Sequence, residues 1–186
     1  RQPISLPAGT GNDFVSGDVI VIQGQSNAVA RKYEGSSNSN QSEFIRVFIS
    51  GTDSSEVLLS ENDWHIGDGD VRSWADGNTG QWGLKLARKI IDNQGIPIAI
   101  FNGARGARPI VYFEKDFIEE NQSLNNYQRL LYRLNQTESS KNVRAILWSQ
   151  GESDAKTSEQ SYINSFRNLT KTWRSDFPGL EHIYIF

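Results

Sequence analysis

The spacing of apolar runs constrains the fold more than any other feature of the sequence. Five short runs rich in Val, Ile and Phe, at 18–23, 44–49, 97–101, 144–148 and 182–186, lie far apart along the chain. Several are nearly continuous in apolar residues rather than alternating, as expected of strands covered on both faces. Between most of them the period changes to that of a helix. Trp82, Leu86 and Ile90, with Ala87 and Ile91, form one apolar face, and Leu124, Tyr127, Leu130, Leu131 and Leu134 form a second behind a candidate N-cap at Ser123. A third face comprises Tyr162, Phe166, Leu169 and Trp173, with Ser158 before it and Pro178-Gly179 after it. Strands alternating with helices predict an α/β domain on a mainly parallel sheet of five strands.

Two polar stretches interrupt this order: 33–43, rich in Ser, Asn and Gly, and 51–80, rich in Asp, Gly and Ser and carrying Trp64 and Trp74. Loops of that length in a compact domain usually carry function or move. There is no internal repeat and no convincing domain boundary. Residues 1–16 read as a lead-in segment and 17–186 as the domain. At 186 residues, 37% hydrophobic and 22% charged, the chain buries a full core and lacks the signature of disorder. A net charge of −3 argues against a general nucleic-acid binder, which needs a concentrated basic face. No apolar run approaches the ~18 residues of a membrane-spanning helix. The absence of cysteine removes disulfides, thiolate metal sites and thiol nucleophiles together. A chain that starts at Arg1 and contains no Met reads as a processed form or a piece of something longer.

In parallel α/β sheets, ligands sit beyond the carboxyl ends of the strands. Three loops should therefore meet there: Gly24-Gln25-Ser26-Asn27-Ala28, Asn102-Gly103-Ala104-Arg105-Gly106-Ala107-Arg108 and Ser149-Gln150-Gly151-Glu152-Ser153-Asp154. Ser26 suits either a turn or a nucleophile, and the second role requires a base and a stabilised oxyanion. Gly106 suits a tight turn or a close-approaching backbone N–H donor. Gln150 suits a structural amide or a side-chain donor to the same oxygen. Glu152 and Asp154 are too close in sequence to imply a facing carboxylate pair for glycoside hydrolysis, and bracing of the loops is the favoured reading. Arg105 and Arg108 suit either a solvated loop or contact with an anionic or hydroxyl-rich substrate. The two histidines are poorly placed as bases: His65 lies in the Asp-rich stretch and His182 at the amino end of the last strand. No His or Asp spacing suggests a catalytic metal.

Taken together, Gly24-Gln25-Ser26-Asn27, Asn102-Gly103-Ala104-Arg105-Gly106 and Trp148-Ser149-Gln150-Gly151-Glu152-Ser153-Asp154 resemble the motif blocks of the SGNH/GDSL hydrolase superfamily. The closest branch is the sialate O-acetylesterase and acetylxylan-esterase-like group. The resemblance runs from about residue 17 to 186 and includes Gly17-Asp18-Val19 ahead of the nucleophile strand. It implies a three-layer α/β/α sandwich of flavodoxin-like SGNH type, needing no cofactor and acting on an acetylated saccharide. At the matching positions it implies Ser26 as nucleophile, with Gly106 and Gln150 as oxyanion donors. Gln25, Asn27, Glu152 and Asp154 are expected to brace these loops, and Arg105 and Arg108 to face substrate. It further implies a base in an Asp-x-x-His block after the fifth strand, within which the chain ends at Phe186. The expectation is therefore a domain truncated within that strand, nearly inactive alone, with the remainder on a longer protein or a separate C-terminal piece. An extracellular or periplasmic location is expected, although the residues allow the cytoplasm. Alternative readings are an SGNH lipase or thioesterase, or a glycan-binding module that has lost the base.

Overall fold

The computed structural model describes residues 16–49, 54–72 and 75–186. The expected lead-in, apart from its last residue, and Trp74 lie outside them. Strand β1 (Asp18–Gly24) is the spine of the fold, and its alternation splits the core in two. Val19 and Val21 join one buried cluster, whereas Ile20 and Ile22 join the other. Both faces must therefore be covered by helices, which makes the predicted layering a physical requirement.

The sheet has six strands in the order β3-β2-β4-β1-β5-β6. Strands β2 (Ile45–Phe48), β4 (Ile98–Asn102), β5 (Val143–Ser149) and β6 (His182–Ile185) all run parallel to β1 within this order. The sixth strand, β3 (Trp64–Ile66), corrects the count of five and pairs antiparallel with β2. Only three residues long and set among Asp and Gly, it presents no periodicity to read. The polar stretch 51–80 also holds helix α2 (Ser55–Ser60), so it is not one long loop.

One face is covered by α3 (Gln81–Gln94), whose Leu84 and Ala87 pack with Ile20, Ile22, Ile98 and Ile100. The other is covered by α4 (Asn126–Gln136) and α5 (Glu159–Asp176), which bring Tyr127, Leu130, Leu134, Leu169 and Trp173 against Val19, Val21, Phe101 and Trp148. The result is a three-layer α/β/α sandwich. Full burial of each such aliphatic side chain is worth ~1.5–3 kcal/mol. Trp148, at the end of β5, meets Phe113 and Trp173 edge-on, with ring centroids 5.4 and 5.5 Å apart.

The helix caps follow the sequence with one correction. Ser158 caps α5, accepting from the Ser161 N–H. The cap of α4 is Asn125 rather than Ser123, because Asn125 and Gln128 form a reciprocal capping box. That pairing satisfies two orphan helix donors, whereas Ser123 instead accepts no helix N–H and donates its own to Ser55 Oγ.

Candidate active site

The register of the three central strands creates the site. Ile22 on β1 lies opposite Asn102 on β4, and Gly24 lies opposite Ser149 on β5, so all three strands end at one edge. The loops that leave them are joined through their main chains. Gln25 N–H donates to Ser149 O at 2.9 Å, Arg105 N–H to Gly24 O at 2.9 Å, and Gly103 N–H to Ile22 O at 2.9 Å. Glycine is required at position 24: its φ is +127°, and a Cβ there would sit 2.0 Å from Ser149 O.

Ser26 opens the short helix α1 (Ser26–Val29) directly after this junction and is exposed, while Ala28 buries itself beneath. The turn is pinned from α3, where Trp82 Nε1 donates to Asn27 O at 2.9 Å. Gln25 points the opposite way from Ser26, into the core. Its Oε1 accepts from Ser153 N–H at 3.0 Å and Gly151 N–H at 3.4 Å. Asn27 Nδ2 donates to Glu152 Oε1 at 2.7 Å, and buried Asp154 accepts from Ile110 N–H at 2.8 Å and Thr157 Oγ1 at 3.1 Å. All four side chains thus lock the first loop, the third loop and the segment near residue 110 together.

Gln150 differs from expectation. Its Nε2 donates to Asp154 Oδ2, to Arg108 O at 3.1 Å and to Gln25 Oε1 at 3.2 Å. Two protons are therefore already shared among three acceptors, one of them a buried carboxylate, which is the strongest kind. Turning the amide over would set oxygen against three oxygens, so its orientation is fixed by the network. In this arrangement Gln150 is a brace between loops, without an N–H directed at substrate.

Ser26 and Gly106 line one cleft of about 420 Å³, with Arg31, Arg72, Arg105 and Arg108 around it. The main-chain N–H groups of Ser26 and Gly106 have no acceptor among the described residues. A Cβ on Gly106 would meet nothing within 4 Å, so the fold itself places no demand for glycine there. The next residue, Ala107, holds a left-handed φ of 56°. The Arg108 guanidinium lies over the Tyr112 ring at 4.8 Å. Desolvation pushes the Tyr112 phenol up from its ordinary pKa, and the neighbouring Glu119 carboxylate adds to the shift.

Arg31 and Arg72 are the functional candidates that sequence reading missed. Arg72 lay in a polar stretch already marked as functional, whereas Arg31 carried no local signal. Neither histidine lines the cleft. His65 sits on β3 opposite Val47, and His182 begins β6, exposed at its amino end. Trp64 belongs to β3 and packs edge-on against Phe48 and Phe101, with ring centroids 5.3 and 6.1 Å apart. Among the described residues no group of acidic, His or Cys side chains is arranged to hold a metal ion.

A family profile described as carbohydrate esterase, sialic acid-specific acetylesterase, matches residues 16–185. The chain belongs to that family. Two solved structures share the fold of this acetylesterase-family chain. A protein from Arabidopsis thaliana superposes with a TM-score of 0.62 at 20% identity, over 89% of this chain and 72% of its own. A carbohydrate acetylesterase from Xanthomonas citri gives 0.57 at 19% identity, over 86% of this chain and 39% of its own. A search of curated proteins finds no match. The α/β sandwich and the esterase family that the three loop motifs implied are thus both shown.

Proposed function

We propose that this acetylesterase-family chain carries the nucleophile and oxyanion cradle of a serine-dependent carbohydrate O-acetylesterase. The observation that carries the reading is the shared cleft, lined by an exposed Ser26 and by Gly106, whose main-chain N–H groups have no acceptor among the described residues. In the proposed reaction a histidine takes the proton of Ser26 Oγ as that oxygen attacks the acetyl carbonyl. The two N–H donors hold the resulting oxyanion, and losing one such donor typically costs ~3–4 kcal/mol in the transition state. The tetrahedral intermediate collapses to acetyl-Ser26 and expels the sugar oxygen, which receives the proton from the histidine. Water then repeats the sequence, releasing acetate and restoring Ser26.

The histidine is proposed to come from outside these 186 residues. The carboxyl end of β6 supports this: Phe186 N–H donates to Trp148 O at 3.0 Å, and the Phe186 ring lies 6.0 Å from that of Trp82. Trp82 in turn binds Asn27, so polypeptide continuing from Phe186 would pass beside the nucleophile turn. Without a base, a serine hydrolase loses several orders of magnitude in rate.

Four arginines about the serine favour an acetylated saccharide that also bears an anionic group, because guanidinium forks match carboxylate geometry. The same charges disfavour the long apolar acyl chain of a lipase substrate. The test is hydrolysis of p-nitrophenyl acetate by the full-length gene product beside its Ser26→Ala variant. The reading predicts a loss of several orders of magnitude. Equal rates above the uncatalysed background would remove Ser26 from the reaction, and no rate above that background would leave the glycan-binding module as the better account.

A further inference from the structure

Helix α4 buries an unusual polar stripe. Asn126, Arg129 and Arg133 recur at spacings of three and four residues, each only 1% exposed, beside the apolar stripe of Tyr127, Leu130 and Leu134. Arg129 is paired with Glu119 at 2.9 Å. Arg133 is not paired with a carboxylate among the described residues. Its Nη2 donates to Asn102 O at 2.9 Å and its Nη1 to Ile49 O at 3.2 Å. Burial, and secondarily the charge of Arg129, lowers its pKa to about 9, which still leaves it a cation at neutral pH. Burying a charge without a counter-ion is costly, and packing alone would be served as well by an aliphatic side chain.

What the stripe holds is the root of the second site loop. Strand β4 ends at Asn102, beyond which the sheet no longer offers its carbonyls partners. Arg133 takes the Asn102 carbonyl, and Asn126 Nδ2 takes the next one, Gly103 O, at 2.9 Å. Asn126 Oδ1 also accepts from Gln23 Nε2 at 3.3 Å, so one side chain grips both the strand leading to Ser26 and the loop leading to Gly106. The Asn102 side chain continues the chain of contacts by accepting from Ala104 N–H at 3.0 Å.

We propose that Asn126 and Arg133 are positioning residues that set the distance between the Gly106 N–H and Ser26. The proposal rests on the reading of those two groups given above. A misplacement of about 1 Å at a reacting centre costs on the order of a hundredfold in rate.

The test compares Arg133→Met in the full-length gene product with the parent, using steady-state p-nitrophenyl acetate kinetics, thermal melting and amide hydrogen exchange. The expected result is a kcat per folded molecule lower by roughly ten- to a hundredfold, with KM within about twofold, and faster exchange at the Arg105 amide. A merely structural role would leave kcat per folded molecule intact, whatever the melting temperature. Parental kcat with parental Arg105 exchange overturns the proposal. Should Arg133→Met fail to fold, Asn126→Ala decides by the same two readouts. Full activity in Ser26→Ala would instead defeat the reading of the site, and the Arg105 exchange rate would still test the clamp.

Discussion

Gly24→Ala is the substitution that most sharply probes how the site is assembled. At this position φ is +127°, a region costing a side-chain-bearing residue about 1–3 kcal/mol. The added Cβ would stand 2.0 Å from Ser149 O and 2.7 Å from Ser149 C, both main-chain atoms that cannot turn aside. The ends of β1 and β5 must separate, and the 2.9 Å bond from Gln25 N–H to Ser149 O is lost, for a further ~1 kcal/mol. The sum is ~2–4 kcal/mol, which in a domain of this size lowers the melting temperature by roughly 5–15 °C. Urea and thermal unfolding followed by circular dichroism measure it directly and need no catalytic activity. A loss under about 1 kcal/mol would refute the close junction of the first and third loops on which the site is built.

Three further predictions follow from individual contacts. Gly106→Ala should unfold no more easily than the parent, and by reduced unfolded-state entropy up to ~1 kcal/mol less easily, yet lose roughly a hundredfold in kcat/KM, because its methyl group enters the cleft and nothing else. Full activity in that variant would place the acyl group elsewhere. Asp154→Asn should lose ~1–2 kcal/mol in urea unfolding: an amide oxygen in the Oδ2 position still accepts from Ile110 N–H and Gln150 Nε2, but the charge that strengthens those bonds is gone and an NH2 replaces the oxygen that accepts from Thr157 Oγ1. Asp70 has its carboxyl lowered from 3.8 to about 2, first by the bond from Lys32 at 2.6 Å. A carboxylate with a depressed folded pKa stabilises above its unfolded value, so that contribution is present above pH 3.8 and fades as pH falls through about 2. In Lys32→Ala the Asp70 carboxyl should titrate nearer 3.8 by carbon NMR, and an unchanged midpoint would discount the lysine.

The sheet was legible because its central strands are buried on both faces, which forces near-continuous apolar runs such as Val19–Ile22 into the sequence. Motif convergence was legible for the same reason: polar, small-residue loops directly after such runs can only meet at one sheet edge. Strand β3 was not legible, because pairing with β2 rather than its own periodicity holds Trp64, His65 and Ile66 in place. The role of Gln150 was hidden by tertiary context. Its neighbours Asp154 and Gln25 capture its protons, and nothing in the order of residues announces which acceptor an amide will meet. Arg31 and Arg72 reach the cleft from separate loops, a juxtaposition that only folding creates.

The central claim is that Ser26 bonds covalently to the acyl group of the ester. Rapid acid quench of the full-length gene product turning over p-nitrophenyl acetate, followed by peptide mass spectrometry, reads this directly. The account predicts one acetyl group on the peptide bearing Ser26, absent in Ser26→Ala. Turnover with that peptide unmodified, or acetyl found on another residue, would contradict it.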